Sequence, residues 1–189
     1  MSNALVSGPR IDEEVRKAVA KALRKDEGAV AMDASVIDDL GGTSLDFLDI
    51  TFRLEQAFGI KLPHTLLVDQ VEEMFGEGKA VDGGSRLTPA GTEIVRLRLG
   101  DHPALRRGIY ADEVPALVTP EALASGVKEV LAALPRACTH CGTPAWVSDD
   151  GARVKCGACA KEAAYPDGDA MVRAWIERVA RERRLFALA

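Results

Sequence analysis

Residues 39–63, DLGGTSLDFLDITFRLEQAFGIKLP, limit what this chain can fold into more than any other stretch. Gly41 and Gly42 suit a sharp turn, because glycine tolerates φ > 0 and close backbone approach. Thr43 follows as a helix N-cap with Asp46 three residues on, a capping-box-like pattern that holds the helix start. Since Thr43 does the capping, the Ser44 hydroxyl is left free on the first turn. A helix N-terminus presents unpaired N–H groups and the positive end of the dipole, so a phosphate ester on Ser44 would be stabilised there. Gly59 fits the position just past the helix end, and Pro63 forbids continuation. Between Leu45 and Phe58, the residues Phe47, Ile50, Thr51, Leu54 and Phe58 follow the i, i+3, i+4, i+7 rule and are expected in the core. Leu45, Asp46, Asp49, Phe52 and Glu55 or Gln56 fall on the other side.

The remaining chain reads mostly as further helices. Residues 11–25 carry Ile11, Val15, Ala18 or Val19 and Leu23 on one face, with Gly28 as the stop. Val30 and Val36 are expected core anchors in the loop that follows. Residues 65–75 form a short helix, and EGKAVDGGSR a flexible, glycine-rich loop. Thr88-Pro89 and Thr119-Pro120 are two helix starts of the same kind, Thr at N-cap and Pro at N1. They open helices to about Leu99 and about Leu134, with an irregular segment between. A final helix is expected from about Asp169 to Leu188, with Met171, Trp175, Val179 and Phe186 near one stripe.

The run DLGGTSLDFLDITFRLEQAFGIKLP resembles the signature of acyl carrier proteins, in which a serine receives 4′-phosphopantetheine. The upstream stretch IDEEVRKAVAKALRKDEGAVAMDASVIDDL is similar to the family's first helix and long first loop. The resemblance implies a small helical bundle that tethers acyl groups as thioesters and catalyses nothing itself. Ser44 matches the attachment serine. Leu45, Asp46, Asp49, Phe52 and Glu55 match positions presented to basic docking patches of a phosphopantetheinyl transferase and of acyl-transferring or acyl-processing enzymes. Thr43 stands where such carriers usually have Asp, which removes one negative charge near the serine. LGGTSL also resembles peptidyl carriers of nonribosomal synthesis; the acidic run Asp46, Asp49, Glu55 favours an acyl carrier. Residues 111–134 resemble the family's ending, so 64–110 reads as an insertion. Its Leu66, Leu67, Val71, Met74, Phe75, Ile94, Val95 and Leu97 are apolar enough to line an acyl pocket or to form extra core.

The four cysteines are confined to CTHCGTPAWVSDDGARVKCGAC, of the form C-x2-C-x14-C-x2-C. Each C-x-x-C pair can turn two thiolates towards one ion, and tetrahedral Zn²⁺ takes four sulfurs. Cys138, Cys141, Cys156 and Cys159 are therefore expected metal ligands, in a closed site with a structural role. The residues between read as a hairpin turning at Asp150-Gly151, and the whole resembles a zinc ribbon. His140 lies inside the first knuckle, but four thiolates already complete a ligand set.

Net charge is −5, with the acidic excess in the first half and Arg173, Arg178, Arg181, Arg183 and Arg184 near the end. That balance argues against nucleic acid as a partner, although a nucleic-acid-binding ribbon stays open as an alternative. A second alternative is an interaction module that keeps the carrier fold without the prosthetic group. No stretch approaches the roughly 18 apolar residues of a membrane span. The first residues lack a basic segment followed by an apolar run, so a cytoplasmic chain is expected. The expected class is mainly α: an acyl-carrier-like helical bundle over 9–135 with a helical insertion at 64–110, then a zinc-ribbon β-hairpin and C-terminal helix over 136–189.

Overall fold

The computed structural model describes residues 5–149 and 151–186. The chain forms two compact units. The first takes the chain up to Leu62 and again from Thr119 to Asp167; the second takes Pro63–Val118 and the chain from Gly168 onward.

In the first unit, α1 (Gly8–Leu23) packs against both α2 (Ser44–Phe58) and α6 (Pro120–Ala132). The helix α1 starts earlier than expected because Ser7 accepts the Arg10 N–H and Pro9 suits the first turn. It ends at Arg24 in the left-handed conformation (φ 54°), not at Gly28. Val15, Val19, Val36, Ile50, Leu54 and Phe58 are fully buried, with Val30 beside them, so the expected core faces of α1 and α2 meet. Phe47 and Thr51 sit half-buried at its edge. The cap of α6 is Thr119, whose hydroxyl accepts the Ala122 N–H at 3.1 Å.

A two-stranded antiparallel hairpin belongs to the same unit: β1 (Trp146–Asp149) and β2 (Arg153–Cys156), in the register Trp146 to Cys156 and Asp149 to Arg153. Gly151 adopts φ 79°, as the expected turn requires; its partner Asp150 lies outside the described residues. Two strands of four residues cannot build a core of their own. Val154 and Ala152 are buried, and the Trp146 indole N–H donates to the Pro135 carbonyl at 2.7 Å.

The second unit holds α3 (Leu67–Phe75), α4 (Pro89–Leu99), α5 (Pro103–Arg107), a 3-10 helix over Ala111–Leu117 and α7 (Gly168–Arg183). Val71, Ile94, Val95 and Ile176 form its centre, with Val68, Val114 and Leu117 around them. Of the apolar residues expected to line a pocket or form extra core, Leu67, Met74, Phe75 and Leu97 pack on this core, while Leu66 is exposed. The glycine-rich stretch expected to be a flexible loop is tied down. The Glu72 carboxylate accepts the N–H groups of Gly78, Ala80 and Val81, and Val81 bridges to Leu87. Asp169, at the start of α7, accepts the N–H groups of His64 and Thr65 and the Gln70 side-chain amide at 2.8 Å.

This division differs from the expected one at 135/136. The cysteine hairpin lies with the bundle, and α7 lies with α3, α4 and α5. The reason is apolar cover: Val172, Ile176, Val179 and Ala180 complete the core begun by Val71 and Ile94. Met171 and Trp175, expected on that stripe, are only half-buried. The helix stops at Arg183, where Arg184 adopts φ 54°, short of the expected end at Leu188, which lies outside the described residues. The second unit also reaches beyond 64–110, because Val114 and Leu117 bury their side chains in its core. Among the described residues, no helix is long and apolar enough to cross a membrane.

Candidate functional site

The turn before α2 is built by contact as much as by flexibility. The Gly42 N–H donates to the Val36 carbonyl at 2.8 Å, and a Cβ at Gly42 would lie 2.7 Å from that same oxygen. It would also meet Val36 Cγ1 at 3.1 Å and Leu23 Cδ2 at 3.2 Å. Gly41 has open space but φ 73°. After this turn the capping box forms as expected. Thr43 Oγ1 accepts the Asp46 N–H, and the Asp46 carboxylate accepts the Thr43 N–H at 2.8 Å and its hydroxyl at 2.7 Å. The hydroxyl and backbone of Thr43 hold the Asp46 carboxyl below the usual carboxylate range. Ser44 is the first residue of α2, exposed, and its hydroxyl has no hydrogen-bond partner among the described residues.

The outward face of α2 carries an apolar row. Leu45 is 76% exposed, Leu48 59% and Phe52 58%. Asp46 and Asp49 lie on the same side of the helix, and Asp49 pairs with Arg53 at 2.9 Å. Leu48 was not among the residues expected there, although its i+3 spacing from Leu45 and i−4 spacing from Phe52 place it between them. Glu55 is the correction. Its spacing along α2 places it on the docking face, but it is 5% exposed. Its carboxylate accepts the buried Leu62 N–H at 2.9 Å and the Lys61 ammonium at 3.1 Å. The chain leaving α2 through GIKL folds back over that position, and spacing along one helix carries no information about such a return.

The four cysteines converge. Their sulfur atoms all lie within 4.8 Å of one another, with Cys138 to Cys159 at 3.8 Å and Cys141 to Cys156 at 3.6 Å. Zinc–sulfur bonds of about 2.3 Å in a tetrahedron separate sulfurs by about 3.8 Å, so the spacing fits one ion. Two matching knuckles create it. Gly142 N–H donates to Cys138 O and Ala160 N–H to Cys156 O, both at 2.8 Å. Cys138 N–H then bonds Thr143 O, and Cys156 N–H bonds Lys161 O. The residue after each pair takes positive φ: Gly142 at 74° and Ala160 at 59°. Hydrogen bonds from Thr143 pull the Cys141 thiol down to about 6. The Cys159 thiol is pushed up to about 12: the Lys161 backbone N–H favours its thiolate, but burial and the neighbouring thiols outweigh it. Sulfurs this close cannot all ionise without a cation among them. His140 is not one of the clustered groups.

A family described as the phosphopantetheine attachment site matches residues 13–72. Over 67 residues the chain is 39% identical to the acyl carrier protein AcpXL of Brucella melitensis, a match covering 35% of this chain and 68% of that protein. The chain belongs to the acyl carrier protein family. AcpXL of Rhizobium etli is 38% identical over 61 residues, 32% of this chain and 66% of that carrier. The acyl carrier protein of Campylobacter hominis is 43% identical over 51 residues, 27% of this chain and 65% of its own length. The chain thus spans about two thirds of the length of these acyl carriers. No solved structure matches it. The match to the phosphopantetheine attachment family runs from Glu13 in α1 to Glu72 in α3, so it contains the Ser44 turn and all of α2. Membership places the chain among carriers rather than enzymes. The four-cysteine hairpin lies outside the matched residues.

Proposed function

We propose that Ser44 carries 4′-phosphopantetheine and that the chain tethers acyl intermediates on it as thioesters. The observation that carries this reading is the placement of Ser44. It is exposed at the first position of a capped helix, within the stretch matched by the phosphopantetheine attachment family. The N–H groups of that helix end and its dipole favour the phosphodiester that joins serine to the arm. Leu45, Leu48 and Phe52 form the apolar part of the surface that meets the phosphopantetheinyl transferase and the acyl-processing enzymes. Asp46 and Asp49 meet their basic patches. Support for a specialised lipid or polyketide-type pathway comes from the second unit and the cysteine hairpin, both added to the carrier bundle. The carrier acts in the cytoplasm on this reading.

Cys138, Cys141, Cys156 and Cys159 hold one Zn²⁺ as a closed, four-thiolate site. With no position left for a substrate, the ion serves structure, and its binding supplies much of the hairpin's folding free energy. The deciding experiment is intact mass after incubation with a phosphopantetheinyl transferase and coenzyme A. The expected result is one prosthetic-group increment, absent in Ser44→Ala. A wild-type chain that stays unmodified would sink the carrier reading in favour of an interaction module.

A further inference from the structure

The helix that presents Ser44 lacks a basic residue in its last turn. The last carbonyls of a helix have no partner inside it, and the dipole is negative there, so a cation at that end satisfies an acceptor and opposes the dipole. In this chain the cation comes from the hairpin. Arg153 Nε–H donates to the Gln56 carbonyl at 3.0 Å, and its Nη2 donates to the same oxygen. Gln56 is in the final turn of α2, four residues beyond Phe52 of the exposed apolar row.

The same short strand reaches the thiol cluster at its other end. Arg153 opens β2 and Cys156 closes it. Glu162, three residues beyond Cys159, pairs with the Arg153 guanidinium and bridges through its backbone to Lys155. The arginine is thus set by two segments, each anchored at one end by a cysteine of the cluster. Two strands of four residues have too little burial to keep that geometry alone.

We infer that Arg153 is a positioning residue for α2 and that the metal holds it in place, so that metal occupancy couples to the order of the carrier helix. This inference rests on the zinc reading given above. A carrier of this kind would present a fully formed docking helix only when its hairpin is metallated. Arg153 therefore acts on acyl transfer through α2, from the end of the helix opposite Ser44.

Hydrogen exchange on the full chain tests this, with zinc content measured on each sample. Removing the metal with a chelator should speed exchange in the last turn of α2 by about fivefold, the effect of one charged contact at a helix end. Arg153→Ala should produce the same change with one zinc still bound, and Arg153→Lys, which keeps the cation, should recover most of the protection. Unchanged α2 exchange in chelated protein whose hairpin has opened would overturn the inference, as would Arg153→Ala matching wild type. A chain that binds no zinc defeats the metal reading itself, whereas one bound zinc with an indifferent α2 defeats only the coupling.

Discussion

Replacing Gly42 by alanine isolates the contact that shapes the Ser44 turn. The added Cβ would sit 2.7 Å from the Val36 carbonyl oxygen, nearer than a Cβ can come without something moving. That oxygen cannot retreat freely, because it accepts the Gly42 N–H at 2.8 Å. Relief therefore lengthens or breaks that hydrogen bond, at about 1 kcal/mol. Displacing Val36 and Leu23, whose side chains would lie 3.1 and 3.2 Å away, adds about 1–3 kcal/mol of overpacking. The total is about 2–4 kcal/mol. Gly41→Ala is the control: its φ of 73° carries a backbone penalty but no contact within 4 Å, so it should destabilise by about 1 kcal/mol. Urea unfolding in a Trp175→Phe background reads the right unit, since Trp146 then reports the hairpin and bundle. The steric argument is refuted if Gly42→Ala destabilises less than Gly41→Ala.

Two further outcomes follow from the same helix. Glu55→Ala removes the acceptor of the buried Leu62 N–H and should destabilise the first unit by about 1–3 kcal/mol in the same assay, identifying Glu55 as a fold residue rather than a docking one. Because the folded Asp46 carboxyl is held below its ordinary value of 3.8, its capping contribution is fully present above that pH and is lost as pH falls through the lowered value. Exchange protection of the Thr43 amide, which the Asp46 carboxylate accepts, should accordingly stay flat from neutral pH down to about 5 and fall only under stronger acid, with Asp46→Asn removing the pH dependence.

Local chemistry was legible in the sequence. Thr43 with Asp46, Thr88-Pro89 and Thr119-Pro120 announced helix starts that the structure reproduces, because a cap is a bond between residues three apart. The cysteine spacing announced a cluster for the same reason: each knuckle closes over five or six residues. The expected exposure of Leu45 and Phe52 held, since a helix has only two sides. Glu55 shows where that logic stops. It lies on the polar side by spacing, yet the return of residues 60–62 covers it.

From its sequence alone this protein declared a carrier helix with a serine at its mouth and a four-thiol hairpin, because caps, turns and knuckles are written within a few residues. Only the tertiary structure decided which apolar stripe covers which. It drew α7 across the 49 residues from Thr119 to Asp167 to complete the core of α3 and α4, and it set the hairpin beside the carrier helices. Such pairings depend on burial between elements far apart in the chain, where the period of each stripe shows that it needs a partner but not which one.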